Sequence, residues 1–136
     1  MLHIRTATLH DLPLISSIQA ACYAAEFIED DIAFASKLQQ AAPTCWLACV
    51  DQHVVAYLIC LPVSPANFPQ LNATEFCLTP DANMLYLHDL AVHPDHRIGR
   101  NDRARADRVQ LALLHRVLSP AEPPVLPILS SDKELT

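Results

Sequence analysis

Apolar and polar positions divide the chain into short segments with different periods. Residues 3–6 alternate as a short strand. Thr8 followed three positions later by Asp11 marks a helix start with Thr8 at the N-cap, and Pro13 fits within the first turn. Leu12, Ile15, Ile18 and Cys22 recur at helical spacing and predict one core-facing stripe, with Leu14 beside it. A second helix is expected over residues 30–40, with Ile28, Ile32, Ala35 and Leu38 marking its face and Pro43 lying beyond its end. Residues 45–50 and 53–61 are rich in strand formers and are separated by Asp51-Gln52, the spacing of a hairpin with a two-residue turn. Gln52 stands where such a turn usually has glycine.

Residues 62–83 contain Pro62, Pro65, Pro69 and Pro80, which excludes a regular element and predicts a long, substrate-side loop. The run MLYLHDLAV, residues 84–92, predicts a strand. Strict alternation places Tyr86, His88, Leu90 and Val92 on one face and Leu87, Asp89 and Ala91 on the other. From residue 101 or 102 to 118, Ala106, Val109, Leu113 and Val117 form a helical stripe, with Leu114 and Leu118 alongside. Prolines at 120, 123, 124 and 127 exclude a helix beyond Ser119 and argue against a central strand. The expected organisation is therefore one domain over residues 1–118 and a proline-rich, loosely held tail over 119–136. Strand, helix, helix, hairpin, long loop, strand, helix is the order of an α/β (α+β) fold on a partly antiparallel sheet.

Composition agrees with one globular domain, since the 136 residues are 51% hydrophobic and 18% charged. No run of 18 apolar residues is present, and His3, Arg5, His10 and Asp11 interrupt the start where a signal peptide would be apolar, so a cytoplasmic protein without membrane contact is expected. The five cysteines, Cys22, Cys45, Cys49, Cys60 and Cys77, include no Cys-x-x-Cys pair and are read as small buried hydrophobes in a reducing compartment. There is one glycine, Gly99, against eleven prolines. The net charge of −6 conceals a step: residues 1–96 carry two basic and ten acidic side chains, whereas residues 97–116 carry six arginines against Asp102 and Asp107. That basic segment suits either a phosphorylated ligand or a solvated helix face. Nucleic acid is not expected, because the whole is acidic and no aromatic residue lies among the arginines to stack a base.

His88 and Asp89 are the candidate catalytic groups, an imidazole being able to accept a proton near neutral pH. A strand histidine bonded to a backbone carbonyl is the structural alternative for His88. His88, Asp89, His93, Asp95 and His96 crowd together, but His88 and His93 would face opposite ways and a proline turn separates His93 from His96, so no metal is expected. Glu26, Glu29, Asp30 and Asp31 either attract a cationic amine or form the solvated start of the second helix.

The segment Leu85-Tyr86-Leu87-His88-Asp89-Leu90-Ala91-Val92-His93-Pro94-Asp95-His96-Arg97 resembles the central motif of the GNAT superfamily of acyl-CoA-dependent N-acyltransferases. Ile4-Arg5-x-Ala7-x-x-x-Asp11-Leu12-Pro13 resembles the family's opening strand and helix, and Cys45-Trp46-Leu47-Ala48 with Val55-Ala56-Tyr57 its central hairpin, so the resemblance covers residues 1–97. It implies a mixed, mostly antiparallel sheet flanked by helices, and transfer of an acetyl group from acetyl-CoA to a primary amine of a small molecule or peptide. It implies that main-chain groups around Leu90, Ala91 and Val92 hold the pantetheine arm. The turn of Arg97, Ile98, Gly99, Arg100, Asn101 and Asp102 would hold the pyrophosphate at a helix N-terminus. The family turn has glycines at the third and fifth positions after its basic residue, where this chain has Arg100 and Asp102; with Gly99 alone, the turn is shifted by one residue or coenzyme binding is impaired. The family also continues past that helix with further strands and a tyrosine proton donor. No tyrosine follows Tyr86, so no general acid is assigned, and the domain is expected to be C-terminally incomplete, through divergence or a reading-frame change near Arg97. The alternative function is a weak or inactive fragment serving as a binding module, and an open sheet edge predicts self-association.

Overall fold

The computed structural model describes residues 1–69, 75–96, 102–118 and 128–130, with residues 96, 102–105 and 128–130 described by backbone alone. The expected hairpin sets its frame. Strands β2 (Cys45–Val50) and β3 (His53–Val63) pair antiparallel and are joined by Asp51 and Gln52 at φ 50° and 72°. A two-residue turn needs positive φ at both positions to match the twist of its strands, and here two non-glycine residues adopt it. Strand β1 (Leu2–Thr6) adds antiparallel to β2, and β4 (Met84–Val92) adds antiparallel to β3. Four antiparallel strands thus follow in chain order. A short β5 (Ile128–Ser130) then pairs parallel with Leu85, Tyr86 and Leu87, so the edge of β4 expected to be open is covered there. β3 runs through Pro62 and Val63, two residues into the stretch expected as loop; residues 64–69 and 75–83 of that stretch form turns and irregular backbone.

Helix α1 (Leu12–Cys22) begins after a 3-10 turn at Leu9–Asp11. Asp11 accepts hydrogen bonds from the Thr8 amide at 2.8 Å and the Thr8 hydroxyl at 3.1 Å, as expected of a capped start. Arg5 reaches the same carboxylate from β1 with two bonds of 2.9 and 2.8 Å, which holds the Asp11 carboxyl below the usual carboxylate range. Ile15 and Ile18 are buried, and Leu12 and Cys22 pack against the same core.

Helix α2 (Asp31–Ala41) corrects the expected face. Ile32 is 68% exposed, and the buried positions are Ala33, Phe34, Lys37, Leu38 and Ala41. The rotation brings the larger Phe34 ring edge-on to Tyr57, with centroids 6.0 Å apart, and turns Lys37 inward to a buried carboxylate. Helices α1 and α2 cover one face of the sheet, over Leu47, Tyr57, Ile59, Leu61 and Tyr86. Helix α3 (Asp102–Leu118) covers the other, where Ala106, Val109, Leu113 and Val117 pack on Ala48, Leu58, Leu87, Leu90 and Val92 as the stripe predicted. Cys45, Cys49 and Cys60 are buried, Cys22 is partly so, and Cys77 is exposed against expectation; all five are free thiols. Among the described residues no helix is long and apolar enough to cross a membrane.

Candidate active site

One irregularity in β4 decides where its polar side chains go. Asp89 pairs with Ile59 and Leu87 pairs with Cys60, so the register slips between Ile59 and Cys60 and leaves His88 as the extra residue of a β-bulge. A strand that inserts one residue resets its alternation at that point. Leu87, Leu90 and Val92 face α3, whereas Tyr86, His88, Asp89 and Ala91 face the α1 and α2 side. The expectation that Asp89 points away from His88 is therefore corrected, and both candidate catalytic groups share one face. His88 and Asp89 are each 2% exposed.

On that face His88 meets a buried carboxylate, Glu29. Glu29 is 2% exposed, while Glu26, Asp30 and Asp31 are exposed. Its Oε1 lies 2.5 Å from His88 Nε2, and its Oε2 accepts from the Lys37 ammonium at 3.0 Å. Gln19 of α1 holds the Glu29 backbone in place, donating to its carbonyl at 3.0 Å and accepting from its amide at 2.8 Å. Glu29 is buried because Lys37, itself 0% exposed, supplies the opposite charge from the next turns of α2. His88 is thus bonded to a carboxylate rather than to a backbone carbonyl. Its Nδ1 is buried and has no hydrogen-bond partner among the described residues.

Asp89 is held by phenols. The Tyr23 hydroxyl donates to its Oδ1 and the Tyr57 hydroxyl to its Oδ2, each at 2.8 Å. Burial, and then the Asp89 charge, push the Tyr57 hydroxyl well above the usual phenol value, so it stays a proton-bearing donor. The Tyr86 ring packs beside His88 at 5.5 Å between centroids.

The His93 amide donates to the Val55 carbonyl at 2.8 Å, so in an antiparallel ladder the main-chain groups of Leu90 and Val92 turn away from β3. The Val92 carbonyl accepts from the Cys22 thiol at 3.1 Å, and the Leu90 carbonyl lies 3.0 Å from the Tyr23 hydroxyl, whose one hydrogen it shares with Asp89. Among the described residues no strand pairs with that side of β4 beyond Leu87. Past β4, His93 accepts from the Asp95 amide at 3.1 Å, and Asp95 is exposed. Arg97, Ile98, Gly99, Arg100 and Asn101 lie outside the described residues, and Asp102 is the first residue of α3. Among the described residues no three histidine, cysteine, aspartate or glutamate side chains converge as a metal site would require.

Lys37 and Tyr23 are not expected from the sequence as site residues, Tyr57 stands only in the resemblance to the central hairpin, and Glu29 is expected only as one of four acidic residues at the start of the second helix. The available signal was a second apolar stripe, Ala33, Phe34, Leu38 and Ala41, as regular as the expected one and containing Lys37. A lysine inside an apolar stripe requires a buried acid nearby, and Glu29 stands eight residues before it.

Residues 12–98 match the family model described as the acetyltransferase (GNAT) family. A comparison with curated proteins returns no match. Among solved structures, the loading GNATL domain of CurA from Lyngbya majuscula superposes with a TM-score of 0.64 at 13% identity, over 90% of this chain and 61% of that one. The GphF GNAT-like decarboxylase in complex with isobutyryl-CoA gives 0.60 at 19% identity, over 81% and 58%. A ribosomal-protein-alanine N-acetyltransferase from Brucella melitensis biovar Abortus 2308 gives 0.54 at 18% identity, over 97% and 81%. The chain spans about three fifths of the length of the first two. At these identities the likeness is one of fold. With the family model matched over residues 12–98, more than half of this chain, the chain belongs to the acetyltransferase (GNAT) family.

Proposed function

We propose that this protein transfers an acetyl group from acetyl-CoA to a primary amine by direct attack, with His88 as proton acceptor. The observation that carries this reading is the buried, unpartnered Nδ1 of His88 beside a length of β4 whose main-chain groups turn away from β3. An unsatisfied buried nitrogen costs about 1–3 kcal/mol, and such a group is retained where a ligand completes it. The outward Val92 amide, beside the Leu90 and Val92 carbonyls that Tyr23 and Cys22 already engage, suits a carbonyl of an extended pantetheine arm in the manner of strand addition. An N–H there polarises the thioester carbonyl as negative charge develops on its oxygen. Acetyl-CoA would supply the acetyl group, a C–N bond replacing its C–S bond and the electron pair leaving on sulfur. His88 takes at Nδ1 the proton that the attacking nitrogen sheds. Asp89, fixed by Tyr23 and Tyr57, adds negative charge to the face an ammonium substrate would approach. For the pyrophosphate, the proposed residues are those of the turn at Arg97, Ile98, Gly99, Arg100, Asn101 and Asp102.

Two measurements test the reading. At 100 times its dissociation constant acetyl-CoA stabilises the fold by about 2.7 kcal/mol, seen as a rise in melting temperature. Release of free coenzyme A thiol from acetyl-CoA should require an added primary amine. No thermal shift at millimolar acetyl-CoA would leave a binding module or inactive domain, and turnover that needs no amine would replace acetyl transfer with another acyl-CoA reaction.

A further inference from the structure

We infer that Glu29 and Lys37 act as positioning residues that fix the tautomer of His88, making Nδ1 the nitrogen that accepts the substrate proton. This rests on the reading of His88 as proton acceptor and adds two residues from outside the family-like motif on β4.

Glu29 Oε2 accepts from a fully buried Lys37 ammonium, so the pair carries one positive and one negative charge. An ionised carboxylate has only lone pairs to offer. His88 Nε2, at 2.5 Å from Oε1, therefore carries the hydrogen and donates it. In a neutral imidazole that leaves the lone pair on Nδ1, the atom buried without a partner. When Nδ1 takes a proton, the new positive charge lies one ring away from the Glu29 carboxylate, which stabilises it as the buried aspartate of a serine-protease triad stabilises its imidazolium. The Lys37 ammonium favours the ionised form of Glu29, so the carboxylate does not take the His88 proton for itself. Among the described residues, the other titratable groups on this face are Tyr86 beside His88, the adjoining Asp89 carboxylate, and the Tyr23 and Tyr57 hydroxyls that donate to it. Both hydroxyls are directed to the Asp89 carboxylate, which leaves Nε2 to Glu29. The geometry is rigid: Gln19 clamps the Glu29 backbone on both its amide and its carbonyl, which ties the carboxylate to α1 as well as to α2.

The test uses the full chain labelled with 15N and reads the His88 ring nitrogens by long-range 1H–15N correlation, a measurement that needs no turnover. Wild type should show hydrogen on Nε2 and a lone pair on Nδ1. Glu29→Gln alone strands the Lys37 charge in the core and is liable to unfold, so the informative variant is Glu29→Leu with Lys37→Met, which replaces a buried ion pair by apolar groups of similar size. That double variant should fold, lose the fixed tautomer to a mixture, and lower kcat for amine-dependent thiol release by roughly 100-fold with KM for acetyl-CoA within about twofold. A wild-type ring protonated on Nδ1 would overturn the inference, as would a folded double variant that keeps the Nε2–H tautomer or wild-type turnover. If wild type shows the expected tautomer but no amine-dependent turnover, the acetyl-transfer reading fails while the Glu29–His88 assignment stands.

Discussion

The two faces of the sheet are built to opposite rules. Facing α3 the strands present Ala48, Leu58, Cys60, Leu87, Leu90 and Val92 to Ala106, Val109, Leu113 and Val117, and among the described residues no charge is buried between them. Facing α1 and α2 the same strands bury His88, Asp89 and Tyr57 against Glu29, Lys37, Gln19 and Tyr23. An apolar face needs only complementary volume, whereas a polar one needs each group paired, and an unpaired one is the exception that asks for a reason. The bulge at His88 makes the division possible. It lets consecutive residues, His88 and Asp89, serve the polar face and returns Leu90 and Val92 to the apolar one. The difference teaches that one side of the sheet is held by apolar packing alone, whereas the other adds a paired polar cluster to its own apolar core.

The largest effect expected on that division comes from His88→Gln. It should lower kcat by 10²- to 10⁴-fold, about 3 to 5 kcal/mol in the barrier, with the fold intact by circular dichroism. A stable variant with normal turnover would move the chemistry off this face. On the opposite face, Leu113→Ala opens a cavity at a fully buried position and should cost about 2–5 kcal/mol in urea unfolding. Its turnover, assayed well below the unfolding temperature, should stay within about twofold of wild type; a catalytic loss comparable to that of His88→Gln would mean the two faces are not separable.

Asp89→Asn keeps the shape but weakens two charge-assisted bonds, with an expected loss of about 1.5–3 kcal/mol. Because the Asp89 charge is one cause of the raised Tyr57 value, the variant should also ionise Tyr57 at lower pH than wild type, followed by phenolate absorbance. In wild type the folded state holds the Tyr57 proton more tightly than the unfolded chain, so that contribution is intact below the unfolded phenol value near ~10 and fades as pH rises beyond it. The smallest effect lies at the start of α1. Asp11 is held down by Arg5, so its contribution is present above the unfolded carboxyl value near ~3.9 and is lost as pH falls through the folded one. Arg5→Met should flatten this acid-side loss in thermal scans and leave turnover alone. An unchanged acid limb would count against the assignment.

Much of the apolar face was legible in the sequence, because Ala106, Val109, Leu113 and Val117 repeat at helical spacing and strands declare themselves by β-branched runs. The hairpin was legible from spacing even though Gln52 is not glycine. The polar face was only half legible. His88 and Asp89 stood out as residue types, but periodicity assigns faces by strict alternation, and a bulge is one residue that breaks it without any compositional sign. The orientation of α2 was missed for a related reason: Ile32 is more apolar than Lys37, yet Lys37 is buried, because burial of a charge depends on a partner that is remote from a hydropathy count. Glu29 was grouped with Glu26, Asp30 and Asp31 as one acidic run, and nothing local distinguishes the member that turns inward.

The central claim, that acetyl-CoA is handled on the outer side of β4 beside His88 while the α3 face takes no part, is tested most directly by titrating labelled protein with acetyl-CoA under NMR observation. The account predicts progressive shifts of the Leu90 and Val92 amides and of the His88 ring nitrogens, with the Leu113 and Val117 methyl signals unmoved. Shifts confined to the α3 methyls, or no change in β4 up to millimolar acetyl-CoA, would contradict it.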